Sequence, residues 1–77
     1  MKLIGIQTGV YEGNPWARIN LTEPLNRDGC IGDNTISSKA NYNYIITHMD
    51  DLQLYIGEEV RVIYDRFGKV QSIMLDS

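Results

Sequence analysis

In residues 9–21, GVYEGNPWARINL, a turn sequence joins two segments of alternating polarity. Glycine and asparagine at positions 13 and 14 tolerate a positive φ, and the proline that follows them cannot donate a backbone hydrogen bond. Beyond this turn, every second residue is apolar, namely Ala17, Ile19 and Leu21. A period of two is typical of a strand with one buried face, so the stretch predicts a β-hairpin.

The only tryptophan of the chain, Trp16, belongs to the other face of this strand and shares it with Arg18. Exposed aromatic rings beside basic residues are typical of surfaces that stack the bases of single-stranded nucleic acid and contact its phosphates. Two other interpretations remain open at this point. Trp16 either covers the open end of a small barrel or lies in a protein interface, where tryptophan is enriched.

Patterns elsewhere in the chain give the extent of the first strand of this hairpin and predict three further strands and a loop. Residues 2–12 alternate and form the first strand, with one face made of Ile4, Ile6, Thr8 and Val10. Residues 24–38 are rich in Gly, Asn, Asp and Ser and predict a long loop, or a loop with a short irregular strand at Cys30–Ile31. Residues 39–46 have the β-propensity of a third strand. The last two strands, residues 59–65 and 69–75, form a hairpin around the turn DRFG.

One short helix is predicted near residues 48–56. Thr47 is a suitable N-cap, and Gly57 is a residue type that commonly ends a helix. The apolar residues between them recur at helical spacing: Met49, Leu52, Tyr55 and Ile56. The predicted order of elements is therefore β-β-β-α-β-β.

This order predicts a single all-β domain over residues 1–77. We expect a small five-stranded antiparallel barrel of the oligonucleotide/oligosaccharide-binding (OB) type, with the helix between strands 3 and 4, because closure removes exposed sheet edges. A curved antiparallel sheet with the helix on one face is the alternative. The expected core contains Ile4, Ile6, Ile19, Leu21, Val60, Val62, Ile73 and Leu75, with Leu52 and Ile56 as a lid.

Composition narrows the classes of function. One cysteine and one histidine form no recognisable catalytic motif, and the adjacent Asp50 and Asp51 suit a helix N-terminus better than a metal site. We therefore expect a non-enzymatic protein without cofactor or metal. The lack of a long apolar run and of cysteine pairs favours a cytoplasmic protein that does not span a membrane. The small core and the sheet edges favour a homodimer.

Charge is distributed unevenly in this chain, whose net charge is −3. Five of the seven basic residues fall in predicted strands, whereas most acidic residues fall outside them: the five are Lys2, Arg18, Lys39, Arg61 and Lys69. This distribution predicts a locally positive sheet. The alternative is that Lys and Arg simply occupy the solvent-facing side, as they do in many sheets.

Two segments, YEGNPWARINL and EEVRVIYDRFGKVQSIML, resemble the small OB-fold single-stranded-DNA-binding proteins of phages and mobile elements. YIGEEVRVIYDRFGKV is also similar to the C-terminal part of small proteins carried by Gram-positive plasmids and conjugative elements. The resemblance implies an accessory protein that binds single strands without sequence preference. By position, it assigns this role to Trp16, Arg18, Lys39, Tyr42, Tyr44 and Arg61. A protein-interaction or regulatory adaptor is the alternative function.

Overall fold

The computed structural model describes residues 1–76, which form five strands and two short helices. Along the chain these are β1 (Lys2–Tyr11), β2 (Asn14–Pro24), β3 (Asp33–Ala40), α1 (Tyr42–Thr47), α2 (Met49–Tyr55), β4 (Val60–Tyr64) and β5 (Val70–Leu75). The strands form one sheet in the order β1-β2-β3-β5-β4. The prediction of a mostly β structure with five strands, and with helix between the third and the fourth, is confirmed.

The hairpin predicted from residues 9–21 is present as β1 and β2, which pair antiparallel as far as Tyr11 and Asn14. Glu12 and Gly13 form the two-residue turn, with φ values of 51° and 80°. Positive φ at both central residues is the property of a type I′ turn, whose twist matches that of the flanking strands. Pro15 follows the turn, where β2 has only β1 beside it.

The prediction of a closed, wholly antiparallel barrel is wrong, because the sheet is mixed and open. β3 pairs with β5 in parallel, through Ala40 and Val70 alone. An isolated bridge between Lys2 and Glu59 joins the start of β1 to the residues before β4, but it does not extend into a ladder. After β3 the chain passes through both helices and β4, and β5 then returns beside β3 in the same direction as β3.

The predicted boundaries of the third strand and the helix are also wrong. Most of β3 lies in the predicted loop, residues 24–38, and only its last two residues belong to the predicted strand, residues 39–46, most of which is α1 instead. The cause is Asn41, whose Oδ1 accepts a hydrogen bond from the backbone N–H of Tyr44 at 3.0 Å and so caps α1. His48, rather than Thr47, is the N-cap residue of α2. Gly57, with a φ of 92°, follows the end of α2 as expected.

A single cluster of buried side chains connects all five strands with both helices. The side chains that are fully buried are Leu3, Ile19, Leu21, Ile45, Leu52, Val60 and Val70. The expected core is confirmed for Ile19, Leu21, Leu52, Val60 and Ile73, while Ile6 and Val62 are partly buried. Neither of the two helices in residues 1–76, which are six and seven residues long, could cross a membrane.

Three expected core residues are exposed instead: Ile4, Ile56 and Leu75. For Ile4 the cause is a β-bulge. The register of β1 against β2 shifts between Leu3 and Gly5, so Ile4 is the extra residue and Leu3 takes the inward position. Ile56 belongs to the end of α2, where the backbone has already become extended.

Substitution of Ile19 by alanine tests the inward face of β2. Ile19 is fully buried, so we expect Ile19→Ala to lower the free energy of unfolding by about 2–5 kcal/mol, as the loss of a buried aliphatic group and the resulting cavity do elsewhere. Ile31→Ala is the control, because Ile31 is 95% exposed and its truncation is expected to cost less than about 0.5 kcal/mol. Urea denaturation measures both, and equal midpoints for the two variants would contradict the assignment.

Candidate nucleic-acid interface

Trp16 lies on the face of β2 that points away from the core. Its neighbour Ala17 and the next inward residue, Ile19, are buried, whereas Trp16 is 40% exposed. Trp16 therefore lies on the solvent side of the sheet, as the alternation of β2 predicted. The open sheet leaves no closed barrel end for it to cover.

The indole of Trp16 lies directly against Gly9, its cross-strand partner on β1. A Cβ atom at position 9 would lie 2.6 Å from Cζ2 and 2.8 Å from Cε2 of the indole, which is closer than real Cβ atoms approach other heavy atoms. Glycine is thus the residue that allows this ring position. The contact holds part of the indole against the backbone of β1 and leaves the rest of it exposed.

A cleft of about 260 Å³ opens beside Trp16, where β3 ends and α1 begins. β3 pairs with β2 only as far as Ala17, so the preceding residues of β2 border the open space. Besides the buried Ala17 and Ala40, the lining consists of Pro15, Trp16, Arg18, Lys39, Tyr42 and Lys69. Three of these residues are basic and none is acidic.

Within residues 1–76, none of the three basic side chains of the cleft forms an ion pair with a carboxylate. Arg18 and Lys39 are direct cross-strand partners, a like-charge arrangement that is destabilising in a sheet. Arg18 donates a hydrogen bond of 3.4 Å to the hydroxyl of Ser37, which is neutral. The ion pairs found in residues 1–76 join Met1 to Glu59 and Arg61 to Asp76, so they include none of the cleft residues. The cleft is therefore suited to an anionic ligand.

Four of the six site residues expected from the sequence lie together in the cleft: Trp16, Arg18, Lys39 and Tyr42. Tyr42 reaches it as the first residue of α1 and is partly buried. It faces the same space as Trp16 and the three cations, so two aromatic side chains and three positive charges line one cleft.

Tyr44 and Arg61 do not line the cleft. The Tyr44 hydroxyl donates to the carbonyl of Ile73 at 3.1 Å and accepts from its N–H at 3.0 Å, which ties α1 to β5. Arg61 lies on the outer strand β4 and forms an ion pair with Asp76 at 3.6 Å. Tyr44 therefore has a structural role, and Arg61 is engaged elsewhere on the surface.

Lys69 also lines the cleft, although it is not among the six site residues expected from the sequence. It precedes Val70, whose pairing with Ala40 brings the start of β5 to the end of β3. The turn before β5 is fixed by Asp65, whose Oδ1 accepts hydrogen bonds from the N–H groups of Phe67 and Lys69 at 2.8 and 3.0 Å. This placement depends on a contact between distant parts of the chain, and no local pattern reveals it.

In comparisons with known proteins, no protein-family model matches the chain, and no curated protein or solved structure is significantly similar to it. In the part of the chain that the structure describes, no three His, Cys, Asp or Glu side chains are grouped closely enough to hold a metal ion.

Replacement of Gly9 by alanine tests the contact with the indole. We expect Gly9→Ala to displace the ring of Trp16, to move its fluorescence emission to longer wavelength and to lower the melting temperature. Gly5→Ala is the matched control on the same strand, because a Cβ there meets only Asn20, at an ordinary distance of 3.4 Å. Since the chain has one tryptophan, its emission reports this ring alone. An unchanged emission spectrum in Gly9→Ala would contradict the contact.

Proposed function

We propose that the protein binds single-stranded nucleic acid in the cleft beside Trp16 and catalyses no reaction. The observation that carries this proposal is the presence of two aromatic side chains, Trp16 and Tyr42, among three cations that form no ion pair with any carboxylate of residues 1–76. Unstacked bases bind aromatic rings, and the phosphates between them bind Lys and Arg. Both kinds of contact are available within this one cleft.

The cations are arranged so that each is supplied by a different element. Arg18 comes from β2, Lys39 from the end of β3 and Lys69 from the turn before β5. A nucleic-acid strand in the cleft could therefore contact cations from β2, from β3 and from the turn before β5, and so more than one phosphate. The like-charge cost of placing Arg18 opposite Lys39 is relieved when a phosphate lies between them.

The aromatic residues favour single strands over duplex. In a duplex the faces of the bases are stacked on one another, so they are not available to Trp16 or Tyr42. The net charge of −3 gives no long-range attraction to a polyanion, so we expect binding to be weak and to depend on the local cations.

The resemblance to small single-stranded-DNA-binding proteins supports the same class of ligand. The exposed, unpaired Cys30 suits the reducing cytoplasm.

Titration with a short single-stranded oligonucleotide at low salt tests the stacking contact. We expect the fluorescence of Trp16 to change on binding, and the Trp16→Ala variant to lose about 1–3 kcal/mol of binding free energy, since this is the usual contribution of one stacked base. Anisotropy of a labelled oligonucleotide measures the affinity of both forms. The duplex of the same sequence is the control and should compete poorly. A flat titration with folded protein would refute the proposal.

Salt dependence tests the phosphate contacts. In a plot of log affinity against log salt concentration, Arg18→Ala and Lys69→Ala should each lower the slope by about 0.7, the value for one phosphate contact with a single strand. Arg61→Ala is the matched control, because it removes the same charge from a residue outside the cleft. A slope that changes equally in all three variants would show that only net charge matters.

A protein-interaction adaptor is the second candidate, and exposed apolar side chains favour it. At least two thirds of the surface is exposed for Val10, Tyr11, Ile31, Leu54 and Phe67. Such residues mark interaction surfaces when they are contiguous, whereas singly exposed ones are common. If the protein is an adaptor, Trp16 fluorescence should not respond to oligonucleotide. The wild type should instead bind a protein partner that the Trp16→Ala variant does not bind.

A further inference from the structure

β1 is an edge strand, and most of its outer side is unpaired. The first residues are covered, because Lys2 bridges to Glu59 and Leu3 exchanges backbone hydrogen bonds with Gly57 and Glu58. From residue 4 to residue 11, the only backbone partner of β1 in the described chain is β2. Eight consecutive residues thus present a free edge, which is longer than a typical whole strand.

The composition of this edge does not protect it from pairing. Natural edge strands usually carry charged residues or proline, or are very short. Residues 3–11, LIGIQTGVY, contain no charge and no proline, and Val10 and Tyr11 are 68% and 71% exposed. The bulge at Ile4 interrupts the strand only at its start. The remainder of the edge is therefore open to another strand.

We propose that this edge pairs with the same edge of a second copy of the chain, in antiparallel orientation, to give a two-fold symmetric homodimer. The two charges that flank the strand, Lys2 and Glu12, have opposite signs. Antiparallel pairing brings the Lys2 end of each strand to the Glu12 end of the other, whereas parallel pairing would place like charges together. A two-fold axis also gives a closed assembly in which both copies use the same surface.

The hairpin geometry identifies the backbone groups that form the new ladder. In a two-residue hairpin the residues that flank the turn, here Tyr11 and Asn14, are a hydrogen-bonded pair, and such pairs alternate along the strands. The N–H groups of Ile6, Thr8 and Val10 therefore point away from β2. The dimer ladder is centred near Thr8, and these three amides donate across it.

The dimer also determines where the two clefts lie. Side chains that are directly opposite in an antiparallel pair point to the same face of a sheet. Both copies of Trp16 therefore lie on one face of the joined sheet, and one single strand can contact both clefts. This consequence rests on the proposed function, whereas the dimer itself does not.

Sedimentation equilibrium of charge variants tests the interface. Thr8→Lys places two positive charges near the two-fold axis, and Thr8 is exposed, so the fold of the subunit is retained. Leu54→Lys is the control, because it adds the same charge at a 76% exposed position on α2. In the micromolar range we expect wild type and Leu54→Lys to have twice the chain mass of 8.8 kDa, and Thr8→Lys to have the chain mass. A monomeric wild type, or a dimeric Thr8→Lys, would overturn the proposal.

Amide hydrogen exchange of the unmodified protein gives a second readout that needs no variant. Exchange at Ile6, Thr8 and Val10 should slow as protein concentration rises, because these N–H groups are bonded only in the dimer. Rates that are independent of concentration would refute the interface. If the protein is a dimer that does not respond to oligonucleotide, the interface is upheld and the proposed function is refuted. If it is a monomer whose Trp16 fluorescence responds to oligonucleotide, the proposed function is upheld and the interface is refuted.

Discussion

The alternation of apolar and polar residues along β2 determines both what the core contains and what the sheet presents to solvent. β2 pairs with β1 on one side and with β3 on the other, and its inward residues Ala17, Ile19 and Leu21 are all buried. A shift of one residue in this strand would expose those three side chains and bury Trp16 and Arg18. The same burial that stabilises the core therefore fixes the aromatic and basic residues on the solvent side.

The cleft is organised by features that cost stability. Gly9 weakens a strand because it lacks a side chain, yet it is the residue that allows the indole of Trp16 to lie against β1. Arg18 and Lys39 face each other across the β2–β3 ladder without a carboxylate between them. Both features are unfavourable for folding alone, and both contribute to the cleft in which we propose that single-stranded nucleic acid binds.

The sequence predicted what depends on local periodicity and failed where one residue or a distant contact decides. The hairpin and the outward position of Trp16 follow from alternation and turn chemistry. The helix α1 was missed because Tyr42, Tyr44, Ile45 and Ile46 favour strands, whereas the cap at Asn41 and the burial of Ile45 decide in favour of helix. The positions of Lys69 and Tyr44 relative to the cleft could not be predicted for a related reason: they depend on the contacts of β5 with β3 and α1. Sequence periodicity contains no information on that meeting.

Because the sheet is open, β1 and β4 are edge strands whose outer backbone groups are available for pairing with another chain. The two edges differ in length and in charge. β4 is five residues long, and its Arg61 is paired with Asp76, so this edge is short and charged. β1 is twice as long, and between Lys2 and Glu12 it has no charge at all. In a small protein with a thin core, an unprotected edge of this length would favour uncontrolled association unless one defined partner covers it. The asymmetry between the edges is thus the physical reason to expect a single, specific pairing at β1 rather than at β4.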